Sequence, residues 1–576
     1  MMVSATWDVL PSDPRGALAL AHRCGVEPLI GQLLLNRGVC DAEGAQRFLS
    51  PKLSALGDPM VLPDMPRAVA RVRKAISRQE PVLVFGDSDV DGITAAVIVS
   101  ESLTAAGARV LVRVSNRLTG GYGFPPRLIA RLKRLGIGLL VLVDCGTNQQ
   151  QEIRELAGQG IETIVLDHHV PSASVAKPEA LVNPHCADAS GRPQTASFGT
   201  PIAHPADGWV PGLGRELCSA GLALKLAQAL WPDDPERIEP YLELAALGTL
   251  ADYSPLVGDN RILVSEGTAR LAATKRPGLA RLCAQVRLTK ATPEQILQRL
   301  VPRLNAAGRM GDAKPVWRLL VERTSSGVER FAGMLGEAHD RSKALSRRIL
   351  AEAHELANRM SFKEEVVMVV GRQGWHPGLM GPVAAQLAGR FGRPAIAIAF
   401  GGRLGVGSGR SPSAFNLLDA LRACEGMLLR YGGHPQACGL TIQAAHLDGF
   451  RESINHHARA SLAHRTLVPR LRVDAETSLG EVTPQTVAAL PQFRPFGPGN
   501  PAPLLLVRRL EAQAGRHGAV WLSDGRGRVR TKGRVGGLVS GCYYDVVGMP
   551  GASDDGVAWS LRDARICAAA GRVTAL

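Results

Sequence analysis

The stretch VLDHHVP, residues 165–171, places an aspartate and two histidines side by side at the end of an apolar run. Asp167, His168 and His169 have titratable side chains, which are costly to bury in a hydrophobic core without partners. Carboxylate and imidazole groups are common ligands of divalent metal ions. Adjacent histidines are also frequent as surface or hydrogen-bonded residues, so this stretch alone leaves both interpretations open.

Carboxylates also follow other apolar runs of the chain. PVLVF is followed by GDSDVDG, LLVLV by DCGT, and a further aspartate lies in LADYSP after YLELAAL. Ligands of open parallel sheets bind beyond the carboxyl ends of the strands. We therefore expect one crevice to collect the side chains that follow these runs: Asp87, Asp89, Asp91, Asp144, Asp167, His168 and His169, with Asp252 as a further candidate.

Each of these aspartates has a simpler interpretation when it is considered alone. An aspartate after a strand is often the N-cap of the next helix. DSDVDG resembles the start of a calcium loop, but the glutamate that closes such a loop is not at the required distance. The convergence of three strand ends favours a metal site, because packed carboxylates repel one another unless a cation neutralises them.

The predicted ligand set determines the expected ions and their chemistry. Oxygen ligands with one or two imidazoles suit Mn²⁺ or Mg²⁺ better than a thiolate-rich zinc site does. Two such ions about 3.5–4 Å apart can activate a water molecule and stabilise the leaving oxygen of a phosphoryl group. In this interpretation the DHH stretch supplies ligands together with an orienting carboxylate.

The elements around these residues alternate between strand and helix, which predicts a parallel sheet covered on both faces. The predicted strands are 81–85, 109–114, 139–143 and 161–166. We expect mostly helices over about 215–360, with one long helix at 337–360, and a second α/β pattern from 364. From about 468 the short alternating segments predict a small β-barrel or sandwich. The tract HRTLVPR, residues 464–470, is a candidate linker.

Composition limits the class of protein. The chain has 576 residues, enough for about three to five domains, with 45% hydrophobic and 21% charged residues. It has no apolar run long enough for a transmembrane helix, and a secretory signal is not expected. The ten cysteines form no CxxC pair, which favours a reducing cytoplasm. The net charge of +15 fits a polyanionic partner, although a GC-rich genome also enriches arginine.

Two glycine-rich segments precede predicted helices in the second half of the chain, GWHPGLMG at 374–381 and GSGRSPSAFN at 407–416. Backbone N–H groups at helix starts bind phosphates, and glycine permits close approach. The same glycines could serve only to form tight turns. GVGSG is not a GxGxxG string, which argues against a dinucleotide site.

The ordered motifs together resemble the RecJ family of the DHH phosphoesterase superfamily. The resemblance covers nearly the whole chain and is weakest from about residue 510. The residues that carry it are DSDVDG, NRLTGGYG, DCGT, DHH, LADYSP, PRLNAAGRMGDA, GWHPGLMG, GSGRSPSAFNLLDAL, YGGHPQACGL, PFGPGNPAP and the N-terminal LLLNRGVCDAEGAQRFLSP. The expected domains are an N-terminal helical region (1–75), the DHH domain (76–270), a helical connector (271–360), a DHH-associated α/β domain (361–463) and an OB-fold-like domain (468–576).

The resemblance implies a 5′→3′ exonuclease on single-stranded DNA that acts in recombination and repair with Mn²⁺ or Mg²⁺. It implies that Asp167 orients its neighbours and that His169 contacts the scissile phosphate. It also implies six metal ligands: Asp87, Asp89, Asp91, Asp144, His168 and Asp252. It further implies contacts with the 5′-phosphate and the DNA strand for Arg117, Tyr122, Phe124, Arg309, His376, Ser408, Arg410 and His434. For His376 and His434, a plain structural histidine is the alternative.

Two departures from the family pattern and two other functions are considered. Ser88 and Val90, and Cys145 and Thr147, replace residues that are more usual in the motifs, but no ligand is lost. A phosphodiesterase for short RNA or cyclic dinucleotides is one alternative, and a non-catalytic scaffold is the other. The resemblance also implies a RecQ-type helicase and a single-strand-binding protein as partners, and no sequence feature demands a homo-oligomer.

Overall fold

The computed structural model describes residues 6–117, 121–172, 175–186, 215–362, 364–462, 470–515, 520–532, 538–553 and 556–567. The candidate linker at 464–470 lies outside the described residues except for its last position. Among the residues that the structure describes, every helix is too short or too polar to cross a bilayer.

The N-terminal segment begins with a short strand and continues as helices. Two of these helices start at aspartates, Asp13 and Asp41, whose carboxylates accept hydrogen bonds from backbone N–H groups of the first turn. The elements are β1 (Thr6–Val9), α1 (Pro14–Cys24), α2 (Pro28–Leu35), α3 (Ala42–Leu49) and α4 (Met65–Ser77).

The first sheet has five parallel strands in the spatial order β3-β2-β4-β5-β6. The strands are β2 (Pro81–Gly86), β3 (Arg109–Val114), β4 (Leu139–Val143), β5 (Glu162–Leu166) and β6 (Ala180–Val182). The crossover helices are α5 (Val90–Ala105), α6 (Ile129–Arg134) and α7 (Gln150–Gly158). Every residue of β4 is buried because helices cover both faces of the sheet. The predicted parallel sheet is confirmed.

A helical section connects the two sheets. It consists of α8 (Ser219–Leu230), α9 (Leu242–Ala251), α10 (Gly258–Leu271), α11 (Pro277–Gln285), α12 (Pro293–Gln295), a π-helical turn (Ile296–Leu300), α13 (Val301–Met310), α14 (Lys314–Val321) and α15 (Ser325–Asn358). α5 packs against α8 and α9 and is buried along nearly its whole length. α15 has 34 residues, so the predicted long helix begins earlier than position 337.

The second sheet is mixed, with spatial order β10-β11-β9-β8-β7. Its strands are β7 (Met368–Gln373), β8 (Ala395–Gly401), β9 (Leu404–Arg410), β10 (Leu428–His434) and β11 (Ala437–Gln443). Its helices are α16 (Met380–Phe391), α17 (Leu417–Arg422) and α18 (Leu447–Ser461). Only the β7–β8 pair is parallel, and the other pairs are antiparallel. The predicted second α/β unit is therefore present.

The C-terminal part forms a closed barrel. Its elements are β12 (Arg470–Val473), β13 (Ala475–Glu476), α19 (Pro484–Ala489), β14 (Leu505–Ala514), β15 (Val520–Ser523), β16 (Arg528–Lys532), β17 (Tyr543–Ser553) and β18 (Gly556–Ile566). The strand order is β13-β14-β15-β16-β18-β17, and pairing of β17 with β14 closes the sheet on itself. The predicted small β-barrel is confirmed.

The two ends of the chain share one hydrophobic core, which the sequence alone does not predict. Strand β1 pairs in parallel with β12, and Leu33 of α2 lies in the same core as Phe493 and residues of β14. A buried salt bridge of 2.9 Å joins Arg37 to Asp474. The N-terminal helices thus dock onto the barrel as part of its structure.

One buried arginine attaches this terminal unit to the helices behind the first sheet. Arg261 of α10 donates hydrogen bonds to three backbone carbonyls, those of Phe48, Gln492 and Phe493, at 2.9–3.0 Å. Its guanidinium also lies 4.0 Å from the ring centroid of Phe48. Because one side chain binds both chain ends, it orients the barrel relative to the cleft described next.

Candidate metal centre and its cleft

Three strands of the first sheet end one residue before an aspartate. β2 ends at Gly86, β4 at Val143 and β5 at Leu166, and Asp87, Asp144 and Asp167 follow directly. All three aspartates are buried. The predicted convergence at the carboxyl edge of the sheet is therefore observed. Asp89 also has the simpler role considered above, because it caps α5 by accepting a 3.2 Å hydrogen bond from the N–H of Gly92.

The candidate ligands form three overlapping groups whose nitrogen and oxygen atoms lie within 4.8 Å of one another. The groups are Asp87 with Asp89 and Asp144, Asp144 with His168 and His169, and Asp91 with His168 and Asp252. Asp144 and His168 each belong to two groups. This sharing is the arrangement expected where two cations lie close together. All six predicted metal ligands are present in the set, together with His169.

Burial and the charges of neighbouring carboxylates raise the pKa of two members of this cluster, Asp91 and Asp144. Burial and the charge of Asp252 raise the pKa of Asp91 to about 6. Burial, followed by the charges of Asp89 and Asp91, raises the pKa of Asp144 well above its usual range. A bound cation would remove this repulsion, and hard carboxylate oxygens with imidazole nitrogens match Mn²⁺ or Mg²⁺. The donor set therefore fits the expected ions.

The DHH stretch places its three side chains in different positions. His168 Nε2 lies 3.3 Å from Asp144 Oδ1 and 3.8 Å from carboxylate oxygens of both Asp91 and Asp252. Asp167 Oδ1 lies 2.7 Å from His169 Nδ1, and Asp167 Oδ2 accepts from the backbone N–H of Thr147 at 3.1 Å.

The environment of Asp167 keeps it charged. Although burial disfavours its charged form, the neighbouring charge and hydrogen bond of His169 hold the pKa of Asp167 below its usual range. The same Oδ1 accepts hydrogen bonds from the backbone N–H groups of His168 and His169. A charged carboxylate in this position fixes the His169 ring beside the cluster, as expected for an orienting residue.

The loop after β3 brings Arg117 and Tyr122 to the cluster. Arg117 Nε donates to Asp87 Oδ2 at 2.9 Å, and Arg117 Nη2 donates to Asp89 Oδ2 at 3.0 Å. Tyr122 is 50% exposed, and its hydroxyl donates to the backbone carbonyl of Asp144 at 3.1 Å. Its ring centroid lies 5.2 Å from that of His169. Both residues thus face the cleft, with Arg117 already bound to carboxylates.

The structure corrects the expectation for Phe124. Only 1% of this residue is exposed, and its ring packs edge-on against Phe85 with 5.1 Å between centroids. The two rings lie in the hydrophobic core under the sheet. Because its faces are covered by other side chains, Phe124 cannot stack on a nucleic-acid base, and its aromatic character serves packing.

The second sheet supplies a basic pocket on the other side of the cleft. Arg410 of β9 donates hydrogen bonds from Nη1 to Ser408 Oγ at 3.3 Å and to the carbonyl of Gly409 at 2.8 Å. A Cβ atom at Gly381, near the start of α16, would lie 3.2 Å from Arg410 Nη2. Glycine thus allows the helix start to approach this arginine closely. Burial, then the charge of Arg410, lowers the pKa of Arg309 at the end of α13.

The two predicted histidines of the second sheet differ in their surroundings. The ring of His434, at the end of β10, stacks on His169 with centroids 6.2 Å apart and 25° between planes. His376 instead accepts a 3.2 Å hydrogen bond at Nδ1 from the N–H of Gly378 and caps the short 3₁₀ helix Pro377–Leu379. His434 therefore belongs to the cleft, whereas the contact of His376 is that of a structural histidine.

Comparison with family models and known proteins agrees with this geometry. Residues 81–249 match the DHH family, N-terminal domain, residues 363–460 the DHHA1 domain and residues 473–518 the RecJ OB domain. The single-stranded-DNA-specific exonuclease RecJ of Bacillus subtilis is 31% identical over 87% of this chain and 61% of its own length.

Two solved structures are similar over large parts of the chain. RecJ from Thermus thermophilus in complex with Mn²⁺ covers 99% of this chain and 81% of its own, with a TM-score of 0.78 and 27% identity. An exonuclease RecJ bound to manganese is 30% identical, with 70% of this chain and 98% of its own covered and a TM-score of 0.57. The chain belongs to the RecJ family. It spans about three fifths of the length of its Bacillus relative.

Several residues of this RecJ-family cleft were not found by sequence reasoning. The backbone N–H groups of Ser219 and Ala220, at the start of α8, donate to the Asp91 carboxylate at 2.9 and 2.8 Å. Ser219 Oγ donates to Asp144 Oδ1 at 3.2 Å, and Ser115 Oγ donates to Asp87 Oδ1 at 2.6 Å. A small polar residue at the start of the apolar run 219–230 was the available signal, but it is a weak one.

Proposed function

We propose that this RecJ-family chain is a metal-dependent exonuclease that hydrolyses single-stranded DNA in the 5′→3′ direction. The observation that carries the proposal is the pair of shared ligands, Asp144 and His168, which join three candidate metal groups beside a basic pocket. The names of the relatives support the same reaction, since they are described as single-stranded-DNA-specific exonucleases. The metal cluster forms an acidic wall of the cleft, and the Ser408–Arg410 pocket forms a basic wall. A phosphodiester held by metal ions would suit the space between them.

The proposed roles of the cluster residues follow from their contacts. Asp87, Asp89, Asp91, Asp144, His168 and Asp252 would hold two Mn²⁺ or Mg²⁺ ions. When bound, such ions activate a water molecule and stabilise the leaving oxygen. His169 lies beside Asp144 and faces the cleft, where it would donate a hydrogen bond to the scissile phosphate. Asp167 would act through His169 by fixing the position of its ring.

The basic pocket would determine the direction of cleavage. Ser408, Arg410 and Arg117 would bind the 5′-terminal phosphate, because guanidinium groups grip phosphate oxygens in a bidentate manner. Arg309 would grip the strand near the entrance. Arg117 would bind the phosphate by exchanging one of its carboxylate contacts for it. With the end of the strand held there, the metal ions would cut at a fixed distance and release a mononucleotide. The exposed ring of Tyr122 would stack on a base near this point.

The barrel would bind the strand outside the cleft. Arg528 lies 4.9 Å from the ring centroid of Trp521, and Tyr543 is 51% exposed. Aromatic side chains beside arginines bind single strands without sequence preference, through stacking and phosphate contacts. The five-part division of the chain into 1–75, 76–270, 271–360, 361–463 and 468–576 stays part of the proposal, with the first and last parts packed together.

The cellular context is also a proposal. A role in recombination and repair, a RecQ-type helicase and a single-strand-binding protein as partners, a monomeric state and a cytoplasmic location remain predictions from the family resemblance and from cysteine usage. Pull-down of the purified chain with each of the two candidate partners would test the predicted binding, with an Asp144→Asn variant to separate binding from activity.

The decisive experiment uses single-stranded oligonucleotides labelled at either end, with Mn²⁺ and a duplex control. We expect immediate release of a labelled mononucleotide from the 5′ label and gradual shortening of the 3′-labelled strand. Asp252→Ala and His168→Ala should abolish both signals. Cleavage of only very short oligonucleotides would instead support the phosphodiesterase alternative, and binding without cleavage would support a scaffold.

A further inference from the structure

A groove lies beside the first sheet and outside the metal cluster. It follows the exposed edge strand β3 and is bounded by α6 on one side and α14 on the other. Its volume is about 550 Å³, within the range of small-molecule sites in proteins. Neither the candidate metal ligands nor the Ser408–Arg410 pocket contributes to its lining.

The charged side chains that line this groove are mostly positive. Five cationic side chains line it, from β3, from the start and middle of the α6 region and from α14: Arg113, Arg127, Arg131, Lys314 and Arg318. Among the described lining residues, one carries a carboxylate, Asp312, which accepts a 2.9 Å hydrogen bond from the backbone N–H of Lys314. Within the described part of the chain, none of these five cations is in a salt bridge.

The arginines are close enough to affect one another. Burial, then the charges of Arg131 and Arg127, lowers the pKa of Arg113. Like charges gathered around one concave surface repel, and an anion placed among them would remove that repulsion. Arginine in particular suits phosphate, because its planar fork presents paired N–H donors. The groove therefore favours a ligand with at least one phosphate group.

The floor and far wall of the groove are apolar. Leu111 of β3 and Leu135 after α6 line the groove and are 48% and 52% exposed, and the partly buried Trp317 of α14 adds an aromatic ring. The guanidinium of Arg318 lies 4.9 Å from the Trp317 ring centroid. A ligand that fits both surfaces has a flat, weakly polar ring system and a phosphate, which is the chemistry of a nucleotide.

The groove also touches the loop that carries two cleft residues. Ser115 and Asn116, immediately before Arg117, line it, as do Gly121 and Gly123 on either side of Tyr122. Ser115 is itself bonded to Asp87 of the cluster. A ligand in the groove would therefore contact residues next to Arg117 and Tyr122 in the sequence.

We infer that this groove is a second ligand site, which binds a nucleoside 5′-monophosphate through the cations around Arg131 and the apolar wall at Trp317. The choice of nucleotide rests on the proposed function, because a mononucleotide is the product that such an exonuclease releases. The site is separate from the cleft. The mononucleotide would accumulate during the reaction and, once bound, would contact residues next to Arg117 and Tyr122.

The test is isothermal titration of the full chain with dTMP in the presence of EDTA, which keeps divalent cations out of the cleft. Inorganic phosphate and thymidine are titrated in parallel. We expect dTMP to bind at least about tenfold more tightly than either fragment, since it alone uses both the arginines and the apolar wall. No binding of dTMP, or equal binding of inorganic phosphate, would overturn the inference.

Charge-reversal variants locate the site. Arg131→Glu should weaken dTMP binding at least about tenfold, whereas Arg134→Glu, on the same helix but outside the groove, should leave it unchanged. Equal loss in both variants would indicate general attraction between the protein and anions and would overturn the proposal. Arg127→Glu, at another exposed lining position, replaces Arg131→Glu if that variant has a lowered melting temperature.

Two further comparisons separate this inference from the proposed function. If Arg410→Ala abolishes dTMP binding while Arg131→Glu keeps it, the ligand lies in the cleft and the second site is refuted. Oligonucleotide cleavage is then measured with the Arg131→Glu chain, because this residue has no role in the metal cluster. If the wild type cleaves oligonucleotides but does not bind dTMP, only the proposed groove site is refuted. If dTMP binds in the groove but no oligonucleotide is cleaved, only the proposed nuclease function is refuted.

Discussion

The two walls of the cleft differ in charge and in what each lacks. On the first-sheet wall, buried carboxylates crowd together, and the pKa of Asp91 rises to about 6 because burial and Asp252 disfavour its charge. On the second-sheet wall, Arg410 binds only a hydroxyl and a carbonyl within the described residues. The acidic wall needs cations and the basic wall needs an anion. In the proposed function, metal ions would neutralise the acidic wall, and a phosphate bound to those ions would be the anion for the arginines.

The largest effect on the acidic wall is expected from changing Asp144, one of the two residues shared by two candidate metal groups. Asp144→Asn should reduce kcat/KM for a single-stranded oligonucleotide by at least about 10³-fold, because one substitution weakens both candidate ion sites. The melting temperature in EDTA should not fall, since the change relieves repulsion between buried carboxylates. Initial rates of nucleotide release and thermal denaturation measure the two effects.

A matched variant separates this effect from a general loss of acidic charge. Asp448→Asn removes a carboxylate on α18 whose side chain is 92% exposed and pairs with Arg451. Its kcat/KM should equal that of the wild type. Activity of Asp144→Asn within about tenfold of the wild type would show that the shared ligand is not essential and that the acidic wall has another role.

The basic wall should respond to the end group of the substrate. Arg410→Ala should weaken binding of a 5′-phosphorylated strand by about 10- to 100-fold, the effect of losing one or two charge-assisted hydrogen bonds. Binding of the same strand with a 5′-hydroxyl should change little, so the preference for the phosphate disappears. Fluorescence anisotropy in Ca²⁺, compared for the two ends, measures this ratio. Arg403→Ala, at the exposed turn between β8 and β9, is the control.

A third variant tests whether Asp167, on the acidic wall, orients His169 or binds metal itself. Asp167→Asn keeps the shape of the side chain but removes the charge that holds His169 Nδ1 at 2.7 Å. We expect kcat to fall by about 10- to 100-fold with KM nearly unchanged, as for residues that orient others in metal sites. The Mn²⁺ concentration for half-maximal activity should stay within about threefold, in contrast to Asp144→Asn. A large rise in that concentration would place Asp167 among the ligands.

The acidic wall was predictable from sequence because its determinants are local. Each of three apolar runs forms a buried strand, and the next residue in each case, Asp87, Asp144 or Asp167, lies at the edge of the sheet. The rules for parallel sheets then bring these ends together without further information. The barrel was expected from its short alternating segments. The individual arginines of the basic wall were found through motif resemblance, since an arginine alone carries little positional information.

The remainder depends on contacts between distant parts of the chain. The N–H groups of Ser219 and Ala220 bind Asp91 across nearly 130 positions, and β1 pairs with β12 across the whole molecule. Local patterns cannot predict such pairing, because many segments offer the same free backbone groups. For Phe124 the motif predicted a contact with a DNA base, whereas the ring is buried in the core. Aromatic side chains occur in both settings, so the residue type does not distinguish them.

The smallest predicted effect tests that correction. Phe124→Leu should leave KM for single-stranded DNA unchanged, because the ring is buried against Phe85, and should lower the free energy of unfolding by about 1 kcal/mol. Tyr122→Leu should do the reverse, raising KM with little change in stability, because its ring is half exposed in the cleft. Chemical denaturation and oligonucleotide titration of both variants give the comparison. A raised KM for Phe124→Leu at unchanged stability would mean that this ring leaves the core when DNA binds.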